Sequence, residues 1–233
     1  MNFLFSARHL ARPLAFTLFT ALAACSKDAA APDTPPAVPV AITINRAALY
    51  PEGFAYDAAA DRFLLGSLTA GALGQVAVDG TYSPLADDAQ LVSFTGLLVD
   101  APRNRVLAAV GDLAGNSART SPATQYKLAA LASFDRGTGR RLAYTDLGGL
   151  RPGVSHFAND VAVDAQGNAY VTDSFAPIIY KVDPQGVATV FLENSRFVAP
   201  TGSFGLNGIV LHPDGYLLVG KWDEGLLFKV PPG

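Results

Sequence analysis

Past residue 40 the chain alternates apolar and polar positions in short bursts: "LVSFTGLLVD", "RVLAAV", "NAYVTDS", "IIYKVD", "ATVFL", "GIVLHP" and "YLLVGK". Alternation with a period of two over such lengths is the signature of a half-buried β-strand. No stretch in this region keeps apolar positions at helical spacing for three turns. Gly, Asp, Asn and Pro close off each burst, which is the chemistry of turns. The pattern predicts an all-β chain.

The bursts also repeat as a set. "PEGFAYDAAADRFLLGSL", "FTGLLVDAPRNRVLAAVG", "ANDVAVDAQGNAYVTDSF" and "LNGIVLHPDGYLLVGKW" share one plan. A polar residue is usually followed by Gly, then an alternating strand, a turn with Asp or Pro, and a second strand. "GQVAVDG", "LAALASFDRGTG", "IIYKVDPQG" and "LLFKVPPG" read as third strands, and segments such as "ATVFLEN" as fourth strands. Four antiparallel strands per unit is the plan of a β-propeller blade, and the spacing of roughly 48 residues per unit lies within the propeller range. The second unit is the longest, because "DLAGNSARTSPATQYK" (112–127) stands between its second and third strands. That segment is polar and strandless, and it is expected to lie over one face as a loop of the kind that shapes binding sites.

Residues 1–25 have a different character. A start carrying Arg8, His9 and Arg12 leads into "LAFTLFTALA" and then "LAAC", which ends at Cys25. A basic start, a short apolar run and small residues make an export signal, and the run is shorter than the roughly 20 apolar residues of a membrane-spanning helix. Cys25 is the only cysteine, so it has no internal disulfide partner. "LAAC" resembles the lipobox of bacterial lipoproteins, which implies lipidation at Cys25. With Ser26 following, it implies delivery to the outer membrane, facing the periplasm. A plain secretory signal with an incidental cysteine is the alternative. Residues 26–44, rich in Ala and Pro, read as a tether, and 45–233 as the propeller domain. The formal charge of −3 and the lack of a basic cluster after the signal exclude nucleic acid as a natural partner. Membrane contact is expected through the lipid anchor alone.

The polar residue that heads each unit is Glu52, Thr95, Asn159 and Asn207 in turn. In a propeller the first strand of every blade lines the central channel, so these positions converge on the axis. Three of the four carry a carboxylate or amide oxygen. Such hard donors suit Ca²⁺, with another divalent cation as the alternative. Mg²⁺ demands tighter geometry, and Zn²⁺ finds no His or Cys in the ring. Each residue taken singly is also an ordinary turn former; recurrence at one repeat position is what favours a ligand role. Asp160 and Thr95 are candidates for the surrounding shell or for substrate contact. His156 stands three residues before Asn159, within reach of the channel mouth or held structurally. Asp173 and Ser174 end a strand and are read as bounding a turn. There is no G-x-S-x-G elbow and no phosphate-binding G-x-x-x-x-G-K-[ST] loop.

Glu52-Gly53, Asn159-Asp160 and Asn207-Gly208, with "AYVTDSFAPIIYKVD" among them, resemble the SMP-30/gluconolactonase family of six-bladed propellers, from about residue 50 onward. The resemblance implies a Ca²⁺ in the central tunnel and hydrolysis of lactones or related esters. It implies metal-ligand roles for Glu52, Asn159 and Asn207. It also implies a fifth-blade Asp that completes the ligand set and acts as base or nucleophile, and the catalytic residue is therefore unknown in these four units. Six-bladed closure would take roughly two more units of this length, so the chain is expected to be a truncated form with an open strand edge. A propeller that only binds a ligand or a protein through its loop face, with Ca²⁺ bracing the axis, is the alternative function.

Overall fold

The computed structural model describes residues 41–231 apart from 117. The export signal, Cys25 and residues 26–40 of the tether lie outside the described residues. The remaining tether residues are engaged with the domain: Ile42 and Ile44 pack on Leu49, Leu65 and Val76 at the first sheet.

Among the described residues, fifteen strands form four antiparallel sheets, each in simple sequence order. The first holds β1 (Pro51–Asp57), β2 (Arg62–Ser67), β3 (Ala72–Ala77) and β4 (Tyr82–Asp87). The second holds β5 (Ser93–Asp100), β6 (Arg105–Gly111), β7 (Ala129–Asp135) and β8 (Arg141–Asp146). β9 (Ala158–Val163), β10 (Ala169–Asp173), β11 (Ile178–Val182) and β12 (Ala188–Glu193) make the third. β13 (Leu206–Leu211), β14 (Leu217–Lys221) and β15 (Leu226–Val230) make the fourth. The chain is an all-β propeller with these sheets as blades. The first strands β1, β5, β9 and β13 sit against one another in succession, as strands around an axis must.

The core lies between sheets. Leu64, Leu73, Phe94, Val106 and Phe134 fill the space between the first and second sheets. Leu107, Leu131, Val161, Val171 and Tyr180 fill the next, and Tyr170, Ile179, Leu206, Ile209 and Val219 the last. Alternate residues of one strand therefore enter two different cores, which is why the sequence alternates without leaving a wholly polar face. Ion pairs fasten the outer turns. Arg62 and Arg136 meet the buried Asp57. Arg103 and Arg105 meet Asp100 while donating to the carbonyls of Ala165 and Gly167 in the third sheet.

Every first strand carries the same irregularity. Pro51 pairs with Ser67 and Phe54 with Leu65, so three steps on β1 face two on β2. The same slip falls between Phe94 and Leu97, between Ala158 and Val161, and between Leu206 and Ile209. Each is a β-bulge with one extra residue, which re-aims side chains and bends the strand. The bulged pairs are Glu52-Gly53, Thr95-Gly96, Asn159-Asp160 and Asn207-Gly208. Close approach explains the glycines of the first two blades. A Cβ on Gly53 would lie 1.8 Å from the Thr95 carbonyl oxygen, and one on Gly96 would lie 2.3 Å from Asp160 Oδ1.

Candidate axial site

Bulging lifts two residues of each first strand out of the regular ladder, and what they do next differs from blade to blade. Glu52, Asn159 and Asn207 line one cavity of about 260 Å³, together with Phe157, Phe204 and Trp222. The same three line an adjoining hollow of about 210 Å³ with Asp160, Gly53 and Gly96. The column expected from sequence therefore meets in space at three of its four positions.

Thr95 is the exception. Its fully buried hydroxyl donates to the Ala158 carbonyl at 2.9 Å, with the Ala109 carbonyl at 3.2 Å. It stitches the second blade to the third and lines neither hollow. Thr172 acts likewise between the third and fourth blades, donating to the Asn207 carbonyl at 2.6 Å. Asp160 also joins two blades. Its Oδ1 accepts from the Val161 N–H and its Oδ2 from the Ile209 N–H at 3.0 Å, just past the bulge of β13. The carboxylate thereby fixes the backbone beside Asn207.

The site concentrates negative charge. Withdrawal from water raises the Asp160 pKa above the usual carboxylate value, although the two backbone N–H donors pull the other way. Glu52 stands at the exposed head of β1. Partial loss of water and the Asp160 charge together raise its pKa as well. Asn159 is 5% exposed as a residue and lines both hollows. Asn207 Oδ1 accepts only from the N–H of the next residue, Gly208, at 2.9 Å. Among the described residues no three His, Cys, Asp or Glu side chains cluster, so any cation held here would depend on the two amide oxygens.

His156 is placed away from these groups. It is buried against Asp173, with Nδ1 2.7 Å from Asp173 Oδ2 and Nε2 2.9 Å from the Arg151 carbonyl oxygen. Both ring nitrogens face acceptors, with the Tyr180 hydroxyl also 3.1 Å from Nδ1, an arrangement that favours the doubly protonated imidazole. Burial lowers its pKa, but the Asp173 hydrogen bond and charge and the Arg151 carbonyl outweigh that, and the net shift is upward. Asp173 bounds its turn by accepting from the Phe175 and Ala176 N–H groups, and it also receives the Phe157 N–H and the Tyr180 hydroxyl. The pair thus holds Phe157 and Phe175 at the top of the third blade. Nothing in the spacing of His156 and Asp173, 17 residues apart, announces the pairing.

The segment at 112–127 is fastened at several points. Buried Asp112 accepts from the Ala114 N–H and from the hydroxyls of Thr120 and Thr124. Asn116 Nδ2 donates to the Val92 carbonyl, and Arg119 to the carbonyls of Gly71, Asp88 and Leu91. Leu113 and Tyr126 emerge from it toward the cavity region.

No family model matches the sequence, and no curated protein matches it. Solved structures do match by fold. The major allergen Mala s 1 of Malassezia sympodialis superposes with a TM-score of 0.64 at 19% identity, over 79% of this chain and 61% of that one. A streptogramin B lyase gives 0.54 at 13% identity, over 82% of this chain and 57% of the other. A protein provisionally called a gluconolactonase gives 0.53 at 15% identity, over 76% and 58%. The chain thus spans about three-fifths of the length of these structures. The likeness establishes the propeller fold.

Proposed function

We propose that the axial hollow is a divalent-cation site, best suited to Ca²⁺, in a lactone- or ester-opening hydrolase of the gluconolactonase type. The observation that carries this reading is the meeting of Glu52, Asn159 and Asn207 at one hollow. The three come from the bulged heads of three different blades, and the Asp160 carboxylate lines the adjoining hollow with them. The donor set fits the cation: a full carboxylate at Glu52, two amide oxygens, and the Asp160 charge alongside. Two carboxyl groups with raised pKa values and no basic side chain in the hollow form an environment that a bound cation relieves. When bound, such an ion supplies polarisation of an ester or lactone carbonyl.

The chain's own residues supply the rest. Glu52 contributes the anchoring charge from the exposed head of β1. The bulges orient Asn159 and Asn207 inward, and Asp160 holds the β13 backbone so that Asn207 keeps its place. A binding-only propeller is the second reading. It is favoured by the engagement of the nearest histidine, whose ring nitrogens are both committed to Asp173 and Arg151. Cys25 lipidation and an outer-membrane, periplasm-facing position belong to the same proposal and rest on "LAAC".

Calorimetric titration with Ca²⁺, paired with a lactone-opening assay, tests the site. Glu52→Gln is expected to weaken Ca²⁺ at least about tenfold, a loss of about 1.4 kcal/mol, and Asn159→Ala to weaken it as well. Undiminished Ca²⁺ binding in Glu52→Gln refutes the site. Tight Ca²⁺ binding without turnover on lactones or aryl esters favours the binding-only reading.

A further inference from the structure

A second cavity, of about 840 Å³, opens beside the axial hollow and shares Leu113 and Phe204 with it. Its wall is largely aromatic and aliphatic: Tyr126, Val154, Phe175 and Phe204, with the hydroxyls of Ser155, Thr201 and Ser203 around them. The rings form a connected array. Phe175 and Phe204 stack at 5.3 Å, Tyr126 meets Phe175 edge-on at 6.1 Å, and Trp222 meets Phe204 edge-on at 6.1 Å. The volume is that of a small-molecule pocket, and apolar walls with a few polar groups are the usual lining of one.

Tyr126 shows that the arrangement is held in place. Its φ is 55°, in the left-handed region that a bulky side chain rarely adopts. The conformation persists because both backbone groups are clamped. The Tyr126 N–H donates to the Asp112 carbonyl at 2.9 Å, and its carbonyl accepts from the His156 N–H at 3.0 Å. The result leaves Tyr126 44% exposed as a residue at the cavity wall. Strain of this kind collects where a side chain is positioned for a ligand. Phe175 is set from the other side by the Asp173 turn. An exposed aromatic side chain with a strained backbone contributes little to stability, whereas a planar ligand could stack on it.

We propose that this cavity is a subsite for a small molecule bearing a planar, uncharged ring, with its polar end directed past Phe204 into the axial hollow. The direction of the polar end rests on the function proposed above; the ring subsite stands without a metal. Aromatic faces and edges presented together favour a flat π-system over an aliphatic chain, because offset and edge-to-face pairs add to simple area burial.

The full chain carrying Cys25→Ser, which removes any acyl group, would be titrated with the neutral dye N-phenyl-1-naphthylamine. Trp222 is the only tryptophan, so energy transfer from it to the dye reports binding, and the variants below locate that binding. Saturable one-to-one binding, unchanged by EDTA, is expected. Combining Tyr126→Gly, which relieves the strained backbone, with Phe204→Ala should weaken the dye at least about tenfold. Leu227→Ala, at a 75% exposed leucine on the edge strand β15, should leave it unchanged. Urea unfolding confirms that each variant is folded. Non-saturating transfer, equal affinity in the double variant, or an equal loss in Leu227→Ala overturns the subsite. Displacement by an equimolar straight-chain alcohol overturns the ring assignment. Failure of the Ca²⁺ reading would appear in the calorimetry and leave this titration untouched.

Discussion

Replacing His156 by Gln should cost the protein stability at low pH and little at high pH. In the native fold the ring is 2% exposed and bonded at both nitrogens, to Asp173 Oδ2 and to the Arg151 carbonyl. Tyr180 and Asp173 are the ionisable groups in contact with it, and Asp146 adds negative charge nearby. Removing a charge-assisted hydrogen bond from a buried site costs about 1.5–3 kcal/mol, and stranding the Asp173 carboxylate adds to this. A loss of about 2–4 kcal/mol is therefore expected where His156 is protonated in both states. The His156 pKa is raised on folding, so its contribution is fully present below the unfolded value of 6.5 and is lost as pH rises through the higher folded value. Urea unfolding of the parent and of His156→Gln at pH 5.5, 7 and 9 measures the gap between them. That gap should be widest at pH 5.5 and should shrink by pH 9. Asp173→Asn should lose at least as much, and the two substitutions together should lose less than the sum, because they break one pair. A gap that stays constant across this range would falsify the doubly protonated ring.

Three further outcomes follow from the packing and the sequence. Gly53→Ala drives a Cβ to within 1.8 Å of the Thr95 carbonyl; a loss of about 1–3 kcal/mol should appear in thermal melts, since backbone must move. Asp112→Ala removes the acceptor of three bonds that close the 112–127 segment, so hydrogen exchange of residues 113–127 should accelerate well ahead of the β-sheet amides. Cys25→Ser should release the expressed protein from membranes and abolish any lipid mass increment; equal membrane retention of the variant would remove the anchor.

Blade count and strand order were legible because both rest on local signals. Alternation marks strands, turn residues bound them, and Asn-Gly, Asn-Asp and Glu-Gly recur in register. Recurrence also singles out Glu52, Asn159 and Asn207, three residues that line the same hollows. Thr95 kept its repeat position, but its hydroxyl went to the Ala158 carbonyl, a choice fixed by how closely two blades approach. The bulges themselves were hidden, because an extra residue shows only against its partner strand. The sequence separates His156, a histidine near the mouth, from Asp173, a turn residue, since their contact depends on the packing of β9 against the end of β10. The aromatic cavity was invisible for the same reason: Tyr126, Phe175 and Phe204 come from three separate loops whose meeting no spacing rule encodes.

The four bulges also determine which changes of length the chain tolerates. Beyond the bulge of β9, Val161 enters the core between the second and third sheets and Ala162 the core between the third and fourth. Substituting Asn159 leaves that phase intact. Deleting it spares the downstream phase too, but it removes the extra residue, so β9 regains regular pairing with β10 and loses the bulge that aims its head at the hollow. The same holds in the other three blades. The aim of each blade head therefore depends on its length, and related chains should carry their insertions elsewhere, as this one does at 112–127.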